Sequence, residues 1–169
     1  ANLKLAARRI AWGKCLNAGQ TCIAPDYLLI HKSVEEEFVT EFKQAIKELY
    51  GDDIKQSRHY VRMVSDRAFE RVVEYLDEGN VVAGGTADCE ERYIEPTLLT
   101  EVSSSSKVMQ EEIFGPVLPM IGFTTREEVI KFINEREKPL ALYYFGDEDS
   151  GWRIISRTSS GGACLNDTI

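Results

Sequence analysis

No stretch of this sequence approaches the roughly 18 consecutive apolar residues that a membrane-spanning helix needs. The longest apolar runs resemble LALYYF at 140–145. The amino end does not pair a charged segment with an apolar one and a small-residue cleavage site, so no secretory leader is read there. Positive charge is scarce: 20 Lys and Arg stand against 28 Asp and Glu, for a net charge of −8. That balance excludes a nucleic-acid backbone as partner, which needs clustered basic residues. It also disfavours an anionic membrane surface. Metal-ligand spacing is missing too. Cys15, Cys22, Cys89 and Cys164 form no CxxC pair, and His31 and His59 are the only histidines, so no metal site is expected. No GxGxxG follows a strand pattern, which removes one dinucleotide fingerprint. A chain of this size needs no disulfide staples, so reduced thiols and a cytoplasmic setting are the simplest expectation.

What is present is an ordinary globular balance, with 43% hydrophobic and 28% charged residues over 169 positions. That suits one domain with a sizeable core. Apolar spacing of 3 to 4 predicts helices over 3–16, 34–50 and 66–78, one after Thr125 that carries Val129, Phe132 and Ile133, and a last one near 149–158. The first begins with no cap before it. Ser33 with Glu36, and Thr125 with Glu128, have the spacing of capping boxes. Strands are expected at YLLI (27–30), NVVA (80–83), along RYIEPTLLTEV, at VLPMIGF (117–123), at LALYYF and at GACLN. LALYYF is apolar throughout, as expected of a strand covered on both faces. Strands alternating with helices predict an α/β fold: an open, mainly parallel twisted sheet with helices on both faces. Both ends read as cut, inside a helical pattern and after an apolar run.

Two stretches could carry chemistry. In WGKCLNAGQTCIAPDY, residues 12–27, a helix breaks at Asn17-Ala18-Gly19 and Pro25 bars its quick return. Cys22 therefore sits on a glycine-flanked bend. Such a bend can present a thiol and aim backbone N–H groups at developing negative charge. On this stretch alone the plainer reading is stronger, because a free cysteine is more often a small core hydrophobe. In QEEIFGPVLP, residues 110–119, Glu111 and Glu112 precede an apolar pair and a Gly-Pro turn. One of these carboxylates could accept ribose hydroxyls, and Phe114 could lie against a planar ring. The plainer reading is a solvated loop entering a strand. A thiol hydrolase or acyltransferase would need a histidine beside Cys22, and a binding domain without catalysis would need neither stretch.

Taken together, the two stretches resemble the aldehyde dehydrogenase superfamily. NAGQTCIAP is similar to its active-site cysteine motif and EEIFGPV to its cofactor-contacting motif. YIEPTLLTEV and SGGACLND match family segments in the same order. With APDY and REKPLALYYF the resemblance points to the class 3, medium-chain and fatty aldehyde, branch. It implies that Cys22 is the nucleophile and that Asn17, Gly19 and Gln20 shape its bend. It implies that the Cys22 N–H is half of an oxyanion hole. Glu112 would hold the nicotinamide ribose of NAD or NADP beside Phe114, and Asn166 would support the site. The substrate implied is a small aldehyde, and the whole enzyme a homodimer. Residues 1–169 would be a single catalytic domain truncated at both ends. The general base and the cofactor-binding domain would lie outside it, leaving the isolated chain inactive. Cys15 departs from the family's bulkier side chain.

Overall fold

A computed structural model describes residues 1–169. In chain order the elements are α1 (Leu3–Cys15), β1 (Leu28–His31), α2 (Glu35–Tyr50), α3 (Asp66–Val73), β2 (Asn80–Ala83), β3 (Ala87–Asp88), β4 (Tyr93–Ile94), β5 (Thr97–Thr100), β6 (Val117–Phe123), α4 (Arg126–Asn134), β7 (Ala141–Tyr144), α5 (Glu148–Ile155) and β8 (Gly162–Leu165).

The main sheet has the order β1-β6-β5-β2. β6 pairs in parallel with both β1 and β5, and β2 closes the far edge antiparallel to β5. β7 and β8 form a separate parallel pair joined through α5. The fold is therefore α/β with a mainly parallel sheet, as expected.

Side chains alternate across the sheet, as a pleated strand requires. Ile30, Leu98, Leu118 and Met120 pack with α1 and α2 on one face. Leu99 and Val117 point the other way, into a cluster with Phe69 and Val72 of α3 and with Met109 and Ile113. Val129, Ile130 and Ile133 of α4 join Ile154 of α5 in a third cluster, against Leu29, Leu142 and Tyr144. Phe38 and Phe42 are buried at the centre of the first. Truncating either to Ala would cost about 3–5 kcal/mol.

Local expectations hold in part. Thr125 caps α4: its hydroxyl accepts the Glu128 N–H while the Glu128 carboxylate accepts from Thr124. The Ser33–Glu36 box does not form. Residues 32–34 wind into a tight 3-10 turn headed by His31, whose ring nitrogen lies in reach of the Ser33 N–H, and Val34 stands at the cap of α2. α1 does have a cap, because Asn2 Oδ1 accepts the Leu5 N–H at 3.1 Å. β7 is half-buried along its length rather than enclosed, since β8 is its sole pairing partner here.

Candidate active site

The bend before Cys22 is built from unusual backbone. Asn17 (φ 53°), Ala18 (φ 53°) and Gly19 (φ 74°) are three successive left-handed residues. For a residue with a Cβ that conformation costs about 1–2 kcal/mol. Local hydrogen bonds offset it. The Gln20 amide donates to the carbonyls of Asn17 (2.9 Å) and Arg62 (3.2 Å), and its oxygen accepts the Val64 N–H at 2.9 Å. Asn17 Nδ2 donates to the Gln20 carbonyl at 3.0 Å. Asn17 and Gln20 thus hold the bend itself and tie it to residues 62–64.

Cys22 follows on an exposed turn closed by Ala24 N–H donating to the Thr21 carbonyl at 3.0 Å. The Cys22 N–H makes no hydrogen bond within the chain, which leaves it free to serve an oxyanion. No imidazole bonds the thiol. His31 is engaged with Ser33 and stacks edge-on against Phe123.

The second loop is clamped through its backbone. Ile113 is fully buried, and its N–H donates to Asp26 Oδ1 at 3.1 Å. Arg71 donates to the carbonyls of Glu112 (3.2 Å) and Ile113 (2.7 Å) and to the Tyr75 hydroxyl (2.8 Å). Tyr75 in turn donates to Glu111 at 3.3 Å. The two carboxylates therefore differ. Glu111 is tied to Tyr75, whereas the exposed Glu112 side chain has no ion-pair or hydrogen-bond partner. Phe114 is left-handed (φ 46°) and the residue is 38% exposed, so the chain keeps a large aromatic partly in solvent at a backbone position that costs energy.

The two loops dock on each other. A Cβ on Gly19 would overlap the Gly115 carbonyl, so the bend and the EEIFGP loop meet backbone to backbone. Cys22, Glu112 and Phe114 consequently line one cleft of about 1850 Å³, with Thr21, Asp26 and Tyr143. Asn17, Gly19 and Gln20 form the bend itself and do not line the cleft. Asn166 is elsewhere: its side chain pairs with the N–H and carbonyl of Gly146 at 2.9 and 3.1 Å, stapling the turn after β7 to the end of β8. Gly146 itself lines the cleft.

Beneath the site the charges are unusual. Lys14 is fully buried and its Nζ has no hydrogen-bond partner. Burial pulls its pKa down to about 8, against the opposing pull of Asp26. Burial likewise raises the Asp26 carboxyl above its ordinary range, countered by Lys14, the Ile113 N–H and Arg71. Cys15, in the core behind the bend, is pushed up to about 12 by burial and is chemically silent. Cys89 is exposed and Cys164 half-buried.

Sequence reasoning passed over Asp26, Arg71, Lys14 and Tyr143. Asp26 offered a signal, an acid directly after Pro25 in an apolar context. Arg71 offered none, sitting on a helical face that reads as solvated. No three His, Cys, Asp or Glu side chains gather as a metal site, and no helix is long and apolar enough to cross a membrane.

A profile of the aldehyde dehydrogenase family matches residues 1–169. A dimeric NADP-preferring aldehyde dehydrogenase of Mus musculus is 52% identical over 169 residues, covering 99% of this chain and 37% of the relative. Aldehyde dehydrogenase family 3 member A2 of Rattus norvegicus is 48% identical, covering 99% and 35%. Among solved structures, the substrate-bound state of Staphylococcus aureus AldH superposes with a TM-score of 0.97 at 47% identity, over 100% of this chain and 38% of that one. The chain thus spans little more than a third of the length of these relatives.

Proposed function

This chain belongs to the aldehyde dehydrogenase family, and from that premise we propose that it is the cysteine-bearing portion of an NAD(P)-dependent enzyme oxidising an aldehyde to a carboxylic acid. The observation that carries this reading is the meeting of two loops. The Gly19–Gly115 contact sets an exposed thiol, a free N–H and an unpaired carboxylate around one cleft.

Cys22 Sγ, as thiolate, adds to the aldehyde carbon, and the carbonyl oxygen becomes an alkoxide. The Cys22 N–H donates to that oxygen, and one such donor is worth about 2.7–4 kcal/mol. Loss of hydride from the same carbon restores a carbonyl as a thioester on Cys22. Water then attacks the thioester, releasing the acid and freeing the thiol. The base that takes the water proton is assigned to residues outside this chain, as is the second oxyanion donor.

Bound NAD(P) supplies the hydride acceptor. The residues present fit its nicotinamide end. Glu112 is an exposed carboxylate with its lone pairs unspent, able to accept two ribose hydroxyls, and the Phe114 ring stands beside it on the cleft wall. Arg71 and Asp26 hold that loop through its backbone and leave both side chains free. A homodimeric whole enzyme follows the name of the mouse relative.

The test is Cys22→Ser in the complete enzyme, read as NAD(P)H formed from an aldehyde. Turnover should fall by at least a thousandfold with the fold intact. A serine variant that turns over within tenfold of wild type would overturn the reading.

A further inference from the structure

Tyr143 lies on β7, 120 residues beyond the nucleophile's turn, yet its phenol donates to the Ile23 carbonyl at 2.8 Å. It is the one hydrogen bond from the β7–β8 pair to residues 20–25. Ile23 directly follows Cys22, and both lie in the four-residue turn that Ala24 N–H closes onto the Thr21 carbonyl. Gln20 anchors that turn at its entry and Pro25 restricts it at its exit. Only the Tyr143 phenol holds its middle from across the cleft.

Building on the functional reading above, we propose that Tyr143 is a positioning residue for Cys22, fixing the turn so that the thiol and its own N–H face the same carbonyl group. A carbonyl held from outside fixes the Ile23–Ala24 peptide plane, and with the Ala24 N–H of the same plane bonded to the Thr21 carbonyl it fixes the turn on which Cys22 stands. The Cys22 sulfur and N–H then act together on one substrate atom pair, as a near-attack arrangement requires. The phenol suits this task because it stays protonated. Burial raises its pKa, opposed by the Ile169 N–H, with smaller upward contributions from Cys164 and Cys22. Cys164 is its cross-strand register partner on β8, so the donor is mounted on paired strand and not on loop.

Tyr143→Phe removes one oxygen and keeps the ring. In the complete enzyme kcat should fall about tenfold, while the KM for NAD(P) stays within twofold. A loss of general stability would not split the two parameters in this way. Iodoacetamide alkylation of Cys22 should slow at least fivefold, with exposed Cys89 unchanged as an internal reference. This arm needs no dehydrogenase activity: if no aldehyde is oxidised by the wild type, the functional reading fails and Tyr143 is still tested. Should Tyr143→Phe not fold, difluorotyrosine at 143 keeps the donor and lets it ionise at lower pH. Activity should then drop as pH rises through the altered phenol's pKa, a drop absent from wild type. Wild-type kcat and Cys22 alkylation in the Phe variant, or a wild-type pH profile in the difluorotyrosine protein, would overturn the proposal.

Discussion

Gly19 and Gly115 touch through their backbones, and that contact brings a cysteine turn and a carboxylate loop to one cleft. Neither position tolerates a side chain. At Gly19 the reason is double, because φ is +74° and the Gly115 carbonyl occupies the space a Cβ would need. Gly19→Ala should therefore combine a left-handed penalty of about 1–2 kcal/mol with overpacking of about 1–3 kcal/mol. Urea unfolding should show an unfolding free energy lowered by the sum, about 2–5 kcal/mol, with the midpoint shifted down accordingly. An unchanged midpoint would mean that the two loops can separate freely.

Glu112 offers a cleaner separation of chemistry from stability. Its side chain is exposed and unpartnered, and its backbone is held by Arg71. Glu112→Gln should leave the unfolding midpoint alone. In the complete enzyme it should slow the hydride-transfer step by about tenfold to a hundredfold, the kinetic equivalent of a charge-assisted hydrogen bond of about 1.5–3 kcal/mol. Single-turnover kinetics with deuterated aldehyde check this. An unaltered rate would remove Glu112 from the cofactor site.

Much of this was legible in the residues alone, and the reasons are local. The break at Asn17-Ala18-Gly19 shows because glycine and asparagine are the residues that accept left-handed backbone. VLPMIGF becomes β6 over the expected residues because an apolar run of that length between turns has little else to do. The Ser33–Glu36 box failed for an equally local reason: the chain leaves β1 directly into a 3-10 turn, and His31 takes the capping place. The contacts that make the site were not legible. Asp26 with Ile113 spans 87 residues and Tyr143 with Ile23 spans 120. Periodicity reports which face is buried and says nothing of which distant loop lies against it. Arg71 was invisible for the same reason, its partners being backbone carbonyls 41 and 42 residues away.

Lys14 gives a prediction with a definite sign. Its folded pKa, about 8, lies below its ordinary 10.5, so the unfolded chain binds a proton that the folded chain has released. Stability from this group rises as pH increases from about 8 toward 10.5, by roughly 1.4 kcal/mol per pH unit. Cys15 works the opposite way, losing stability as pH rises from 9.0 toward about 12, because the folded thiol keeps its proton. From pH 8 to 9 wild type should gain about 1 kcal/mol relative to Lys14→Met, because the folded ammonium is still half protonated at pH 8 and Cys15 is present in both proteins. Parallel stability–pH curves for the two proteins would show that the Lys14 ammonium is solvated or paired in solution.

In the proposed reaction Cys22 carries the acyl group. The most direct measurement mixes the complete enzyme with an aldehyde and NAD(P), quenches in acid within the first turnover, and locates the added mass by peptide mass spectrometry. An acyl adduct, two hydrogens lighter than the simple aldehyde addition product, is expected on the peptide containing Cys22 and on no other thiol. Turnover accompanied by acylation at Cys89 or Cys164, or with no acyl-enzyme when thioester hydrolysis is slowed, would contradict it.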